Sequence, residues 1–370
     1  MKNPSGSEGF CDPAGTRTQG PNIKSVVLYQ LSYEISEKVR WTTFPFWECK
    51  NTVSCLSVQN FFIGLSTKTQ AFSAYPQYSF ERWAFPVSLF FKYVCKRNHF
   101  SMSSYFNNKV VAVTGGSEGI GKALVAALIE QGAKVATCGR NHDKLYRLQS
   151  EFPSAFLHTT VTDVSSENDC RRFIESTIKA FGGIDILINN AGVSMRALVK
   201  EADTEVIKKV MDINFYGTVY CTKYALPTII ERKGTIVGVS SIAGYRGLPG
   251  RSGYSASKFA VQGWLEAIKT ELMADGVHVM WVCPGFTTSN IRNAALNKEG
   301  QSHGETPMDE SKMMSAEECA GHILKAIRKK KRSLVLTFTG KRTVFMQKFF
   351  PKLADKLAYK FFFKDGKLVK

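Results

Sequence analysis

An α/β fold with a parallel, doubly wound sheet is the class this sequence predicts, and three observations predict it. From Lys109 onward, short β-branched runs alternate with amphipathic segments; several of those runs are apolar throughout; and the first is followed at once by a glycine-rich turn and a helix start. Uninterrupted apolar strands belong to sheets covered by helices on both faces. The 370 residues, 44% hydrophobic and 22% charged, suffice for such a core and exclude a disordered or fibrous chain.

The spacing predicts strands at 110–113, 134–138, 155–159, 184–188, 235–239, 278–282 and 334–337, and helices at 122–131, 168–181, 204–230 and 254–274. The first strand runs into Thr114-Gly115-Gly-Ser117-Glu-Gly119-Ile120-Gly121. Such a turn lets the backbone approach a pyrophosphate, and the helix behind it offers free N–H groups and a partial positive charge. The second strand ends in Thr137-Cys-Gly-Arg140-Asn141, about 20 residues beyond the turn, where a dinucleotide-binding fold senses the adenosine ribose. No carboxylate stands there to hold a 2′-hydroxyl. Arg140 suits a 2′-phosphate with its planar fork and points to NADP(H), the alternative being a strand cap in solvent. Glu118 beside the turn opposes a phosphate ligand.

The fifth strand ends in Ser240-Ser241, a hydroxyl able to hold a substrate oxygen. The helix after it begins Tyr254-Ser-Ala-Ser-Lys258, which puts phenol and ammonium on one face. A lysine cation there favours the phenolate and draws a value of about 10 toward the range of an acid–base catalyst. The polar segment 290–315 reads as a lid or loop, and Ser315-Ala-Glu-Glu318 as the capping box of another helix.

Charge is uneven. Residues 1–101 hold 11 Lys and Arg against 6 Asp and Glu, residues 102–321 hold 23 against 23, and residues 322–370 hold 15 against 2. A neutral body with one cationic end points to a local anionic surface rather than to nucleic acid. In the tail, Pro351 in a first helical turn aligns Lys352, Lys356, Lys360 and Lys364 beside a stripe of Leu353, Leu357 and Phe361. That stripe suits either an anionic lipid interface or packing on the chain's own domain.

Residues 1–101 carry 19 of the 44 aromatic residues without a sustained period and read as an N-terminal extension, either disordered or upstream of a true start at Met102; a domain spanning 102–340 follows, with 341–370 as a basic amphipathic tail. Nine unpaired cysteines at irregular spacing suggest a reducing compartment, and with the six histidines they offer no metal-ligand spacing, so no metal is expected. The expected localisation is cytoplasmic or peripheral at a membrane.

Seven blocks in order give the sequence its resemblance to the short-chain dehydrogenase/reductase family: the glycine turn from Thr114 to Gly121, Thr162-Asp163-Val164, Asn189-Asn190-Ala191-Gly192, Asp212-Ile-Asn214, Val239-Ser-Ser241, Tyr254 to Lys258, and Pro284-Gly285. The resemblance implies a single Rossmann-type catalytic domain with terminal extensions, transferring hydride between NADP(H) and a small hydrophobic carbonyl or secondary alcohol. By it Tyr254 is the acid or base, Ser241 positions the reacting oxygen, and Lys258 also grips the nicotinamide ribose. Asn214 binds a water that serves Lys258, Asp163 holds the adenine amino group, and Asn190, Ala191 and Gly192 adjoin the cofactor. Where the family has a threonine after Pro284-Gly285, this chain has Ser289, with Thr287 and Thr288 near, and which hydroxyl serves is open. A homodimer or homotetramer built on segments 204–230 and 254–274 is also implied. The competing reading is a sensor that binds NADP and has lost its chemistry, which would have no reason to keep Tyr254, Lys258, Ser241 and Asn214 together.

Overall fold

The computed structural model describes residues 105–152, 156–302, 304 and 313–369. The expected N-terminal extension, the start of the predicted 155–159 strand and much of the predicted lid lie outside them.

Seven parallel strands form one sheet, β1 (Val110–Thr114), β2 (Lys134–Gly139), β3 (Leu157–Val161), β4 (Ile186–Asn189), β5 (Thr235–Val239), β6 (His278–Cys283) and β7 (Ser333–Val335), in the order β3-β2-β1-β4-β5-β6-β7. Alternate residues feed two cores. Val111, Val113, Ile186 and Ile188 pack under α1 (Gly119–Glu130), α2 (His142–Glu151) and α7 (Ala316–Arg328), through Leu124, Leu128, Leu148 and Ile323. Ala112, Leu187 and Ile236 pack under α3 (Glu167–Phe181), α5 (Gly217–Glu231) and α6 (Ser252–Glu271), through Phe173, Ala225 and Leu265. This two-faced burial is what the uninterrupted apolar runs require. The order reverses between β1 and β4, which opens a crevice at the carboxyl ends of the strands.

Caps fix the helix starts. Asn141 accepts from the Lys144 N–H at 2.9 Å and opens α2, a helix the periodicity did not single out. Ser315 accepts from the Glu318 N–H at 3.0 Å, as the capping box anticipates.

The predicted 204–230 helix is three pieces: α4 (Thr204–Met211), a π-helical turn (Asp212–Tyr216) and α5. Segment 290–302 is fastened rather than loose, Leu296 exchanging backbone hydrogen bonds with Ser194 and Arg196 at 2.9 and 2.8 Å. After β7 comes a hairpin of two helices, α8 (Phe338–Phe349) and α9 (Pro351–Phe362), ending in a short antiparallel pair, β8 (Phe363–Lys364) and β9 (Lys367–Leu368). The expected boundary at Gly340 falls inside α8. Pro351 takes the first turn of α9 as predicted, but the helix ends before Lys364 and buries Ala354 and Phe362, leaving the Leu353, Leu357, Phe361 stripe exposed.

Candidate active site

One cavity of about 1090 Å³ occupies the crevice, and its floor is the turn after β1. Gly115 and Gly119 have φ of +68° and +55°, in the left-handed region open to glycine. A Cβ on Gly115 would stand 2.9 Å from the Ala191 Cα, and one on Gly121 would collide with the Gly115 carbonyl oxygen. The bare backbone turn is pinned from below. The Thr114 hydroxyl accepts from the N–H groups of Asn190 and Ala191, both at 3.0 Å, while Asn190 Nδ2 donates to the carbonyls of Thr114 at 3.0 Å and Gly115 at 3.1 Å. Thr114 is thus buried beneath the turn, outside the cavity wall.

Gly115, Ser117, Gly119, Ile120, Gly121, Arg140, Asp163, Asn190, Ala191 and Gly192 all border the cavity. Arg140 is exposed at its edge. Glu118 also borders the cavity, and its Oε2 accepts from Lys144 Nζ on α2 at 2.6 Å. One Asp163 oxygen is taken by the Ser165 N–H and hydroxyl at 3.0 and 2.7 Å, which fixes the carboxylate in place. A cradle this bare, with donors at its rim, fits a dinucleotide's phosphates.

Ser241, Tyr254 and Lys258 meet on the opposite wall. Ser241 ends the extended run after β5, and its oxygen accepts from the Ala243 N–H at 3.1 Å. Lys258 is buried and donates from Nζ to the Val239 carbonyl at 2.9 Å, 5.7 Å from the centre of the Tyr254 ring. Burial pulls the Lys258 ammonium down to about 8. Burial also pushes the Tyr254 phenol up, against a hydrogen bond from Ser241 and the positive charge of Arg251. The expectation that Lys258 draws the phenol down is therefore revised, because burial outweighs the groups that favour the phenolate, which are Ser241 and Arg251.

Asn214 is buried behind this wall. Its Oδ1 accepts from the Val193 N–H at 2.8 Å, and its Nδ2 donates to the Val193 carbonyl and the Ser257 hydroxyl, both at 2.9 Å. A Cβ on Gly192 would point 3.1 Å from Asn214 Oδ1 and 3.4 Å from Lys258 Nζ, so the two side chains flank that glycine.

Pro284, Gly285, Thr287 and Ser289 border the cavity, whereas exposed Thr288 does not and gives its N–H to the Met314 carbonyl at 2.9 Å. The open choice of hydroxyl narrows to Thr287 and Ser289. Sequence reasoning missed Arg251, one helical turn before Tyr254, and a whole wall of the cavity supplied by α8 and α9 through Met346, Ala354, Leu357 and Phe362. The first was readable from spacing; the second had no local signal.

Residues 109–300 match the family described as short chain dehydrogenase. A Mus musculus protein named dehydrogenase/reductase SDR family member 7B is 34% identical over 258 residues, which are 68% of this chain and 80% of that one. An Anopheles gambiae protein named dehydrogenase/reductase SDR family protein 7-like is 33% identical over 251 residues, 65% and 78% of the two chains. Among solved structures, a short chain dehydrogenase/reductase from Burkholderia phymatum in complex with NAD aligns with a TM-score of 0.60 at 24% identity, covering 67% of this chain and 95% of that one. A short chain dehydrogenase from Burkholderia cenocepacia in complex with NADP aligns with a TM-score of 0.59 at 23% identity, covering 68% and 98%. These two likenesses concern the fold.

Proposed function

The chain belongs to the short-chain dehydrogenase/reductase family, and from that premise we propose that it is an NADP(H)-dependent oxidoreductase of a hydrophobic carbonyl or the matching secondary alcohol. The observation that carries this reading is the meeting of Ser241, Tyr254 and Lys258 on a cavity whose floor is a glycine-rich phosphate cradle. The turn from Gly115 to Gly121 would hold the pyrophosphate, Asp163 the adenine, Lys258 a ribose, and Thr287 or Ser289 the carboxamide. When bound, the dinucleotide supplies or takes up the hydride.

The chain's own residues handle the proton. Burial keeps Tyr254 in its protonated form near neutral pH, which is the form that donates to a carbonyl oxygen. Ser241 donates to the same substrate oxygen and steadies its developing charge. An ammonium held at about 8 is mostly charged at neutral pH and favours the phenolate left behind. Carbonyl reduction is therefore the direction the site suits at neutral pH, and alcohol oxidation gains as pH rises.

Two features support NADP(H) over NAD(H): β2 is followed directly by Arg140 with no carboxylate at that turn, and the Glu118 carboxylate beside the glycine turn is paired with Lys144. The cavity's apolar α8–α9 wall supports a hydrophobic substrate. Outer faces of α5 and α6 remain our expected oligomer contacts, with Phe259 exposed on α6.

Turnover of a panel of ketones followed by NADPH absorbance, and repeated with NADH, tests both parts. Tyr254→Phe is expected to lower turnover by about 100- to 10,000-fold while NADPH still binds. Undiminished turnover would reject the mechanism, and equal rates with the two cofactors would reject the role of Arg140.

A further inference from the structure

We propose that the outer face of the α8–α9 hairpin docks on an anionic lipid bilayer, with the mouth of the active-site cavity opening on that same face. The hairpin has two different sides. Its inner side, through Met346, Ala354 and Phe362, is a wall of the cavity. Its outer side leaves Phe338 79%, Phe345 56% and Phe349 56% exposed along α8, followed by exposed Leu353 on α9. Three exposed rings form a patch rather than scattered residues, with Phe345 and Phe349 centred 4.8 Å apart and Phe350 6.3 Å from Phe345. Contiguous apolar surface of this kind on a soluble face marks an interaction site.

The charge around the patch selects its occupant. Exposed Lys341 and Lys348 on α8, and Lys352, Lys356 and Lys360 on α9, frame the aromatic side chains. From Phe338 to Val369 the acids are Asp355 and Asp365, and Asp355 is spent on Arg246 at 2.5 Å. Aromatic and leucine side chains interleaved with lysine match a bilayer interface, where the rings enter the acyl boundary and the long lysine stems reach anionic headgroups. A second copy of the chain would bring the same lysines face to face and is disfavoured by like charge. None of the described helices is long and apolar enough to cross a membrane, and the proposed contact is of the interfacial kind.

Two side chains join the two sides. Leu357 and Phe361 border the cavity and are also 44% and 40% exposed, which fits a place at its rim. A hydrophobic molecule leaving the bilayer would meet this rim first. That delivery role rests on the proposed reaction, whereas docking stands on the surface alone and is scored without turnover, so the two can fail separately.

The test is flotation of the full chain with vesicles of phosphatidylcholine, alone or with phosphatidylserine. The expected result is binding to the anionic vesicles that falls with added salt. Two variant pairs, Lys348→Glu with Lys356→Glu and Phe345→Ser with Phe349→Ser, should each weaken binding at least about tenfold. All four positions are exposed, and unchanged thermal unfolding of either pair is enough to read the result. Absence of flotation, or equal flotation of parent and variants, would overturn the proposal. So would a dimer of the full chain that the phenylalanine pair disrupts while the parent ignores vesicles, since the face would then belong to a second copy.

Discussion

Lys258 is a cation buried at the cavity wall, held by one carbonyl and flanked by Asn214 and Gly192. Its neighbour Cys283 adds no counter-charge, because burial pushes that thiol up to about 12 and leaves it neutral. A lysine that falls from 10.5 to about 8 on folding penalises the native state wherever the unfolded chain keeps the proton. The penalty is complete below about pH 8, shrinks as pH rises, and is gone above the unfolded value. Relative to Lys258→Met, the parent protein should therefore gain on the order of 3 kcal/mol of stability between about pH 8 and 10.5. Denaturant titrations of both proteins across that range measure it. A difference that stays flat with pH would mean the ammonium is solvated after all. The same charge that costs stability is the one the proposed proton transfer needs, which is the usual exchange at a buried catalytic group.

Elements explain why some of this was readable and some was not. Short β-branched runs, several of them apolar throughout, marked all seven strands of the sheet, because that signal lies within a few residues of each strand. Ser241, Tyr254 and Lys258 were readable for the same reason, since a strand end and one helical turn fix their neighbourhood. The break in the 204–230 segment was not. A π turn at Asp212–Tyr216 has no signal in the apolar period; within it Asn214 satisfies both backbone groups of Val193, a partner 21 residues away. Asn214→Ala would leave that buried N–H and C=O unpaired, for a loss of about 2–6 kcal/mol at about 1–3 kcal/mol for each group. Equilibrium unfolding is the measurement, and stability equal to the parent's would show that Val193 does not depend on the turn. The role of Thr114 was hidden likewise, because its two amide partners come from the far side of the sheet's switch point.

For the molecule as a whole, the question is what holds the hairpin against the catalytic body, since nothing in the local sequence of 338–369 announces that it completes a cavity begun more than 200 residues earlier. Two contacts compete for the answer. Arg246 reaches Gln347 at 2.9 Å and Asp355 at 2.5 Å, but Asp355 is 65% exposed, and an ion pair with one partner in solvent contributes about 0–1 kcal/mol. Phe362 is buried, and truncating such a side chain to alanine costs about 3–5 kcal/mol. Burial should win. Phe362→Ala is thus expected to free the hairpin without unfolding the sheet, because α8 and α9 form a peripheral layer that can open on its own. Amide exchange in 338–369 should rise while the β1, β4 and β5 strands stay protected, and KM should rise about tenfold for bulky apolar ketones and hardly at all for small ones. Asp355→Ala should leave both readouts nearly unchanged. If the aspartate variant loosened the hairpin as much as the phenylalanine variant, the roof would be an electrostatic latch, and the apolar wall would owe its place to Arg246 rather than to its own burial.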